Sequence, residues 1–139
     1  MKILVVCHGN VMRSQLAELA FRSKGFDVVS AGMKTKDGKA MAKKMRIVAR
    51  ELGYVVSEDR SEYPRSKVAT QELIDWADVI YYMDAPNLRR LNEQFGHSDK
   101  YFPLDKDKRV PDPAFHSDIE FWRSVGKQIQ ESVCHETSK

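Results

Sequence analysis

Seven residues into the chain an apolar, β-branched run ends in Cys7-His8-Gly9-Asn10-Val11-Met12-Arg13-Ser14, and a helical pattern follows at once. Several residues of that stretch have a chemical use. A cysteine attacks an electrophilic centre as its thiolate, which a helix N-terminus and a nearby arginine favour over the thiol. Arg13, six residues on, can fold back and hold two oxygens of an oxyanion in one plane. Ser14 is placed to donate a hydrogen bond to the sulfur. In a strand–loop–helix turn of this kind the main-chain N–H groups converge on one point and the helix adds its positive end. The loop from His8 to Ser14 therefore reads as an anion nest of phosphate size. Gly9 and Asn10 are residue types that tolerate the positive φ such a cradle demands. A cysteine at a strand end is more often a small buried apolar side chain. The ordered combination of strand, cysteine, Gly-Asn, Arg-Ser and helix is harder to reach by chance, and it points to nucleophilic chemistry on an anion.

The rest of the chain must hold that loop in place. Lys2–Val6 reads as a buried strand and Ser14–Lys24 as a helix, with Leu16, Ala17, Ala20 and Phe21 on one face and Gly25 ending it. Phe26–Ser30 and Asp78–Met83 read as further strands, and Tyr101-Phe102 as a short fourth. Helices are expected over Ala40–Leu52, from a Thr70 cap to Trp76, from an Asp84 cap to Gly96, and from a Ser117-Asp118-Ile119-Glu120 capping box to about Val133. Strands alternating with helices imply a parallel α/β sheet covered on both faces. In such sheets the functional crevice lies beyond the carboxyl ends of the strands, where Cys7 falls.

Composition narrows the classes. A chain of 139 residues, 42% hydrophobic and 31% charged, fits one globular domain. Its net charge of +3 is too small to argue for a nucleic-acid partner. No segment has the apolar length to span a bilayer, and no signal or transit peptide is apparent, so a cytoplasmic location is expected. Two cysteines, Cys7 and Cys134, make no disulfide framework, and Cys134 reads as an inert or exposed thiol. His8, His97, His116 and His135 have no paired ligand spacing, so no metal is expected. One cationic interval stands out: Lys34, Lys36, Lys39, Lys43, Lys44, Arg46 and Arg50 against Asp37 alone. With Met41, Met45, Val48 and Leu52 as the apolar stripe of a helix, Lys43, Arg46 and Arg50 read as its solvated face.

VVCHGNVMRSQLAE (Val5–Glu18) resembles the phosphate-binding loop of the low-molecular-weight protein tyrosine phosphatases, V-C-x-G-N-x-C-R-S-x-x-A-E. The resemblance extends to Ser30–Gly32 (SAG), Ala77–Leu91 (ADVIYYMDAPNLRRL) and Val110–Phe115 (VPDPAF), and so covers nearly the whole chain. It implies a single-domain three-layer sandwich over residues 1–139, with a four-stranded parallel sheet in the order 2-1-3-4 and helices on both faces. It implies Cys7 as nucleophile, Arg13 as phosphate clamp and Asp112 as general acid. Ser14 would stabilise the thiolate and Asn10 shape the loop. His8, Gly9, Val11 and Met12 would line the phosphate, with Phe115 beside the leaving group. The expected ligand is a phosphorylated protein or small phosphomonoester. Inorganic phosphate or sulfate would be able to occupy the loop, and no cofactor is implied.

The sequence departs from that pattern in three places. Met12 stands where most members have a second loop cysteine, so a protective disulfide within the loop is impossible. MKTKDGKA (Met33–Ala40) lacks the aromatic that many members use to sandwich a phosphotyrosine ring and carries lysines instead. Ala114 stands beside Phe115 where a further aromatic is frequent. Two other functions fit the loop less well. A small-thiol-coupled arsenate reductase would leave Asp112 without a task, and a non-catalytic phosphate-binding module would leave a complete catalytic set unused.

Overall fold

A computed structural model describes residues 1–138; Lys139, the last residue of the expected domain, lies outside the described residues. Four strands form one parallel sheet: β1 (Lys2–Cys7), β2 (Asp27–Gly32), β3 (Val79–Tyr82) and β4 (Tyr101–Pro103), in the order β2-β1-β3-β4. The expected order is the observed one. Side chains of β1 alternate between two cores. Ile3, Val5 and Cys7 face α1 (Arg13–Ser23), α2 (Lys43–Glu51) and α5 (Ile119–Thr137). Leu4 and Val6 face α3 (Gln71–Trp76) and α4 (Ala85–Phe95). A strand buried on both sides has no polar face, and hence the continuous ILVV run. On the first face Gly126 of α5 lets α2 come close, since a Cβ there would stand 2.4 Å from Val48 Cγ1.

Several boundaries differ from the sequence reading. Helix α2 starts at Lys43, not Ala40. Residues 40–42 are drawn out instead by the Ala40–Arg65 bridge and by main-chain bonds from Met41 N to Pro64 O (2.9 Å) and Ala42 N to Val11 O (2.8 Å). Its charged side is not simply solvated. Arg46 lies 4.0 Å from the centroid of the Tyr63 ring, and Arg50 donates to the carbonyls of Val56 (3.1 Å) and Ser57 (3.0 Å). Both guanidiniums fasten the segment that follows the helix, and periodicity carries no information about such long-range partners. The cap of α5 is Asp118, which accepts from Glu120 N (3.0 Å), rather than Ser117. A short 3-10 turn at Arg60–Glu62 was not foreshadowed by any hydrophobic period. Thr70 and Asp84 cap α3 and α4 as expected, accepting from Leu73 N (3.2 Å) and Asn87 N (3.0 Å).

Candidate active site

The loop between β1 and α1 is held by its carbonyls. Those of Cys7 and His8 accept from Met33 N and Lys34 N, both at 2.9 Å. That of Asn10 accepts from Gln15 Nε2 (2.5 Å), and that of Val11 from Ala42 N (2.8 Å). In a trans peptide C=O and N–H point in opposite directions. Tying four carbonyls outward therefore turns the N–H groups of His8, Gly9, Val11 and Met12 toward the inside of the loop. Helix α1 begins at Arg13 with no side-chain cap at Met12, so its first N–H groups add to the same concavity.

Asn10 makes this geometry possible. Its φ of 53° is the only positive value on a non-glycine among the described residues. Gly9 does not share it, so the expected pair of left-handed residues is a single one. The Asn10 side-chain amide donates to Ser14 Oγ (2.7 Å) and Ser30 Oγ (2.9 Å) and accepts from Lys67 N (2.8 Å). Asn10 N donates to Cys7 Sγ at 3.3 Å. Because Asn10 donates to Ser14 Oγ, the Ser14 hydroxyl hydrogen is free to point at Cys7 Sγ, 2.9 Å away. Two donors thus converge on the sulfur, which suits a negatively charged atom. Cys7 is 2% exposed, yet its sulfur sits in a polar network rather than in purely apolar packing.

Ser30 N in turn donates to Glu18 Oε1 (2.7 Å), which anchors the end of β2 against α1. Gly32 then passes close to the loop. A Cβ there would lie 3.1 Å from both Asn10 Cβ and the main-chain carbon of Gly9. The SAG motif is therefore a close-approach strand end.

Arg13 lies across the nest, 2% exposed. Its Nη1 donates to Asp84 Oδ2 (2.6 Å) and to the Val110 carbonyl (2.9 Å). Its Nε is buried without a hydrogen-bond partner among the described residues, and Nη2 stands 3.7 Å from Asp112 Oδ2. In a guanidinium Nε and Nη2 share one edge, the edge that grips two oxygens of an oxyanion. One edge of Arg13 is thus fixed by protein and the other is left to a ligand. Asp84 is the residue that the sequence reading passed over here, having assigned it only as a helix cap. Its position at the carboxyl end of β3, the neighbour of β1 in the sheet, is the signal that could have found it.

Asp112 lies on a loop pinned at both ends. Val110 N donates to Met83 O (2.9 Å), His116 N to Pro113 O (2.9 Å), and Trp122 Nε1 to His116 O (2.8 Å). The Asp112 carboxylate accepts from Ala114 N (2.9 Å) and is 37% exposed, open to solvent and beside Arg13. Phe115, three residues on, is fully exposed. Cys134 is exposed on α5, near the end of the chain.

The family model described as low molecular weight phosphotyrosine protein phosphatase matches residues 2–136. The chain belongs to that family. Solved structures agree. An arginine phosphatase from Geobacillus stearothermophilus is 27% identical with a TM-score of 0.88, over 99% of this chain and 90% of that one. A low molecular weight phosphotyrosine phosphatase from Vibrio cholerae is 28% identical with a TM-score of 0.85, over 99% and 95% of the two chains. A cysteine-to-serine mutant of an arginine phosphatase is 25% identical with a TM-score of 0.88, over 99% and 94%, and its active-site serine is phosphorylated. No curated protein matches the sequence.

In this phosphatase the residues expected from sequence gather at one place. Cys7, Asn10 and Ser14 form one hydrogen-bonded network, Arg13 and Asp84 pair beside it, and Asp112 faces Arg13 across 3.7 Å. Among the described residues no helix is long and apolar enough to cross a membrane, and no cluster of His, Cys, Asp and Glu could hold a metal ion.

Proposed function

We propose that the protein hydrolyses phosphomonoesters through a cysteinyl-phosphate. The phosphoryl group sits in the nest, two of its oxygens on the Nε–Nη2 edge of Arg13. Cys7 attacks phosphorus as the thiolate, in line with the leaving oxygen, and Asp112 hands its proton to that oxygen. A water then attacks the cysteinyl-phosphate. Asp112, now a carboxylate, takes its proton, and inorganic phosphate leaves. Nest amides and Arg13 stabilise the equatorial oxygens in both steps. The observation that carries this reading is the open, buried Nε edge of an arginine whose other edge is clamped by Asp84 and Val110.

The wall around the nest is the modified part. No residue of Met33–Ala40 is aromatic. Losing one aromatic stack costs about 0.5–1.5 kcal/mol, so discrimination in favour of an aryl phosphate weakens by up to roughly tenfold. The reading is a phosphomonoesterase of broad or non-tyrosine preference, with Phe115 as the remaining aromatic beside Asp112. A second reading, phosphoarginine hydrolysis, draws on the likeness to arginine phosphatases and on the same bare wall. Against it stand the lysines of that wall, which repel a substrate that keeps its guanidinium charge. Turnover measured on a panel of phosphotyrosine and phosphoserine peptides, phosphoarginine and sugar phosphates tests both. Comparable rates across the esters support the first reading. Turnover of phosphoarginine alone supports the second and overturns the first. Strong selectivity for phosphotyrosine contradicts the modified wall.

A further inference from the structure

Beside the nest two loops, residues 33–40 and 63–69, are stitched into one layer. Gly38 N donates to Ser66 O (2.9 Å), Ser66 N to Lys39 O (2.8 Å), and Ser66 Oγ to Lys36 O (2.5 Å). Val68 N donates to Asp37 Oδ1 (2.8 Å), and Gly32 N to Lys67 O (2.7 Å). Two lysines of this layer are placed against the nest by their own main chain. Lys34 N donates to His8 O (2.9 Å), and Lys67 N to Asn10 Oδ1 (2.8 Å). Sequence reading gave no reason to single out Lys67, because only the fold brings it there.

The layer is strongly cationic where it meets the nest. It carries Lys34, Lys36, Lys39, Arg65 and Lys67 against one carboxylate, Asp37, which already accepts from Val68 N. Arg65 is turned onto the carbonyls of Arg60 (2.6 Å) and Gly38 (3.5 Å). The four lysines are exposed, and among the described residues none of them forms an ion pair. The aromatic ring of this layer, Tyr63, has one face taken by the Arg46 guanidinium at 4.0 Å. Like charges held together without counter-ions raise the local potential, and a mouth of one sign draws in and holds the opposite sign. The charges are spread along two loops rather than converged on one point, which suits an extended acidic chain better than a small polyanion.

Resting on the phosphatase reading of the nest, we propose that the site takes phosphorylated side chains from protein segments with Asp or Glu close to the phosphorylated residue. Lys34 and Lys67 meet the nearest carboxylates, and Lys36 and Lys39 the more distant ones. The test is binding rather than turnover. Cys7→Ser protein is titrated with paired phosphopeptides, identical except for acidic or neutral flanks, at low salt and at high salt. Exposed ion pairs are each weak and are screened by salt. The expected preference for the acidic peptide is on the order of tenfold at low salt and fades at high salt. Adding Lys34→Gln and Lys67→Gln together removes most of it. Equal affinity for both peptides, or a preference that survives salt or both substitutions, overturns the proposal. So does a hexose bisphosphate losing as much affinity as the acidic peptide on those substitutions, since the lysines would then read small polyanions. If neither peptide binds and the wild-type protein hydrolyses no phosphomonoester, the reading of the nest itself fails.

Discussion

The loop around Cys7 and the cationic layer beside it share main-chain hydrogen bonds, but they solve different problems. In the nest the polar side chains are tied to one another and to the main chain, and the Nε of Arg13 is the buried donor left without a partner among the described residues. The Asn10 amide makes three hydrogen bonds, Ser14 bridges Asn10 and Cys7, and Arg13 spends one edge on Asp84 and Val110. These groups are almost wholly buried, so each partner removed leaves a desolvated group behind, at about 1–3 kcal/mol apiece. In the layer the main chain is equally well tied, but its four lysines are exposed and form no ion pair among the described residues. On the proposed reading, chemistry falls to the buried region and selection to the exposed one. Substitutions in the first should act on the chemical step or on folding, and substitutions in the second on which substrate is chosen.

The largest effect that could break this division is at Asp112. Asp112→Asn should lower kcat/KM, which reports transfer to Cys7 and not the later hydrolysis, by roughly 10²–10⁴-fold, with a smaller loss for p-nitrophenyl phosphate, whose leaving group needs little protonation. An equal loss across leaving groups would make Asp112 a structural residue. Next comes Arg13→Lys, expected to lower kcat/KM about 10²–10³-fold, close to the loss on Arg13→Ala, because an ammonium has no planar edge. Near-normal activity in the lysine variant would show that only charge matters there.

Asp84→Asn sharpens the comparison further. It keeps the shape but loses the charged partner of Nη1, so Arg13 should be held less firmly. We expect kcat/KM to fall on the order of tenfold with the fold intact, read from kinetics beside a thermal melt. Unchanged kinetics would mean that the Val110 carbonyl alone positions the guanidinium.

The smallest expected effect lies in the linker leading to Asp112. Partial burial pushes the Asp105 carboxyl up. The hydrogen bonds from Gln128, Asp107 N and Lys108 N, with the nearby Lys108 charge, outweigh it and hold the group below the ordinary aspartate value of 3.8. A carboxyl lowered in the folded state stabilises above its unfolded value, and that contribution drains away as pH falls through the folded one. Tm of the wild type should therefore exceed that of Asp105→Asn at neutral pH, with the gap closing below about pH 4. A gap independent of pH would assign the effect to packing.

How much of this was legible in the sequence divides along the same line. Strand order came with the family resemblance, whereas the capping of α3 and α4 was readable because Thr70 and Asp84 act on their own neighbours. Cys7, Asn10, Arg13 and Ser14 were readable because all four lie in one loop. Asp84 as the anchor of Arg13, 71 residues away, and Lys67 as the neighbour of Asn10, 57 residues away, were not, since no local period reports a contact across the sheet. Arg46 looked solvated for the same reason: its partner Tyr63 arrives from beyond the helix.

The central claim is that phosphate passes through Cys7. Acid-quenching Asp112→Asn protein during turnover of p-nitrophenyl phosphate, followed by mass spectrometry of the peptide containing Cys7, tests it directly. Slowed hydrolysis of the intermediate should leave a phosphate adduct on Cys7, absent when the same quench is applied to Cys7→Ala/Asp112→Asn protein. Turnover that continues with Cys7 unmodified, or that persists in Cys7→Ser protein, would contradict the account.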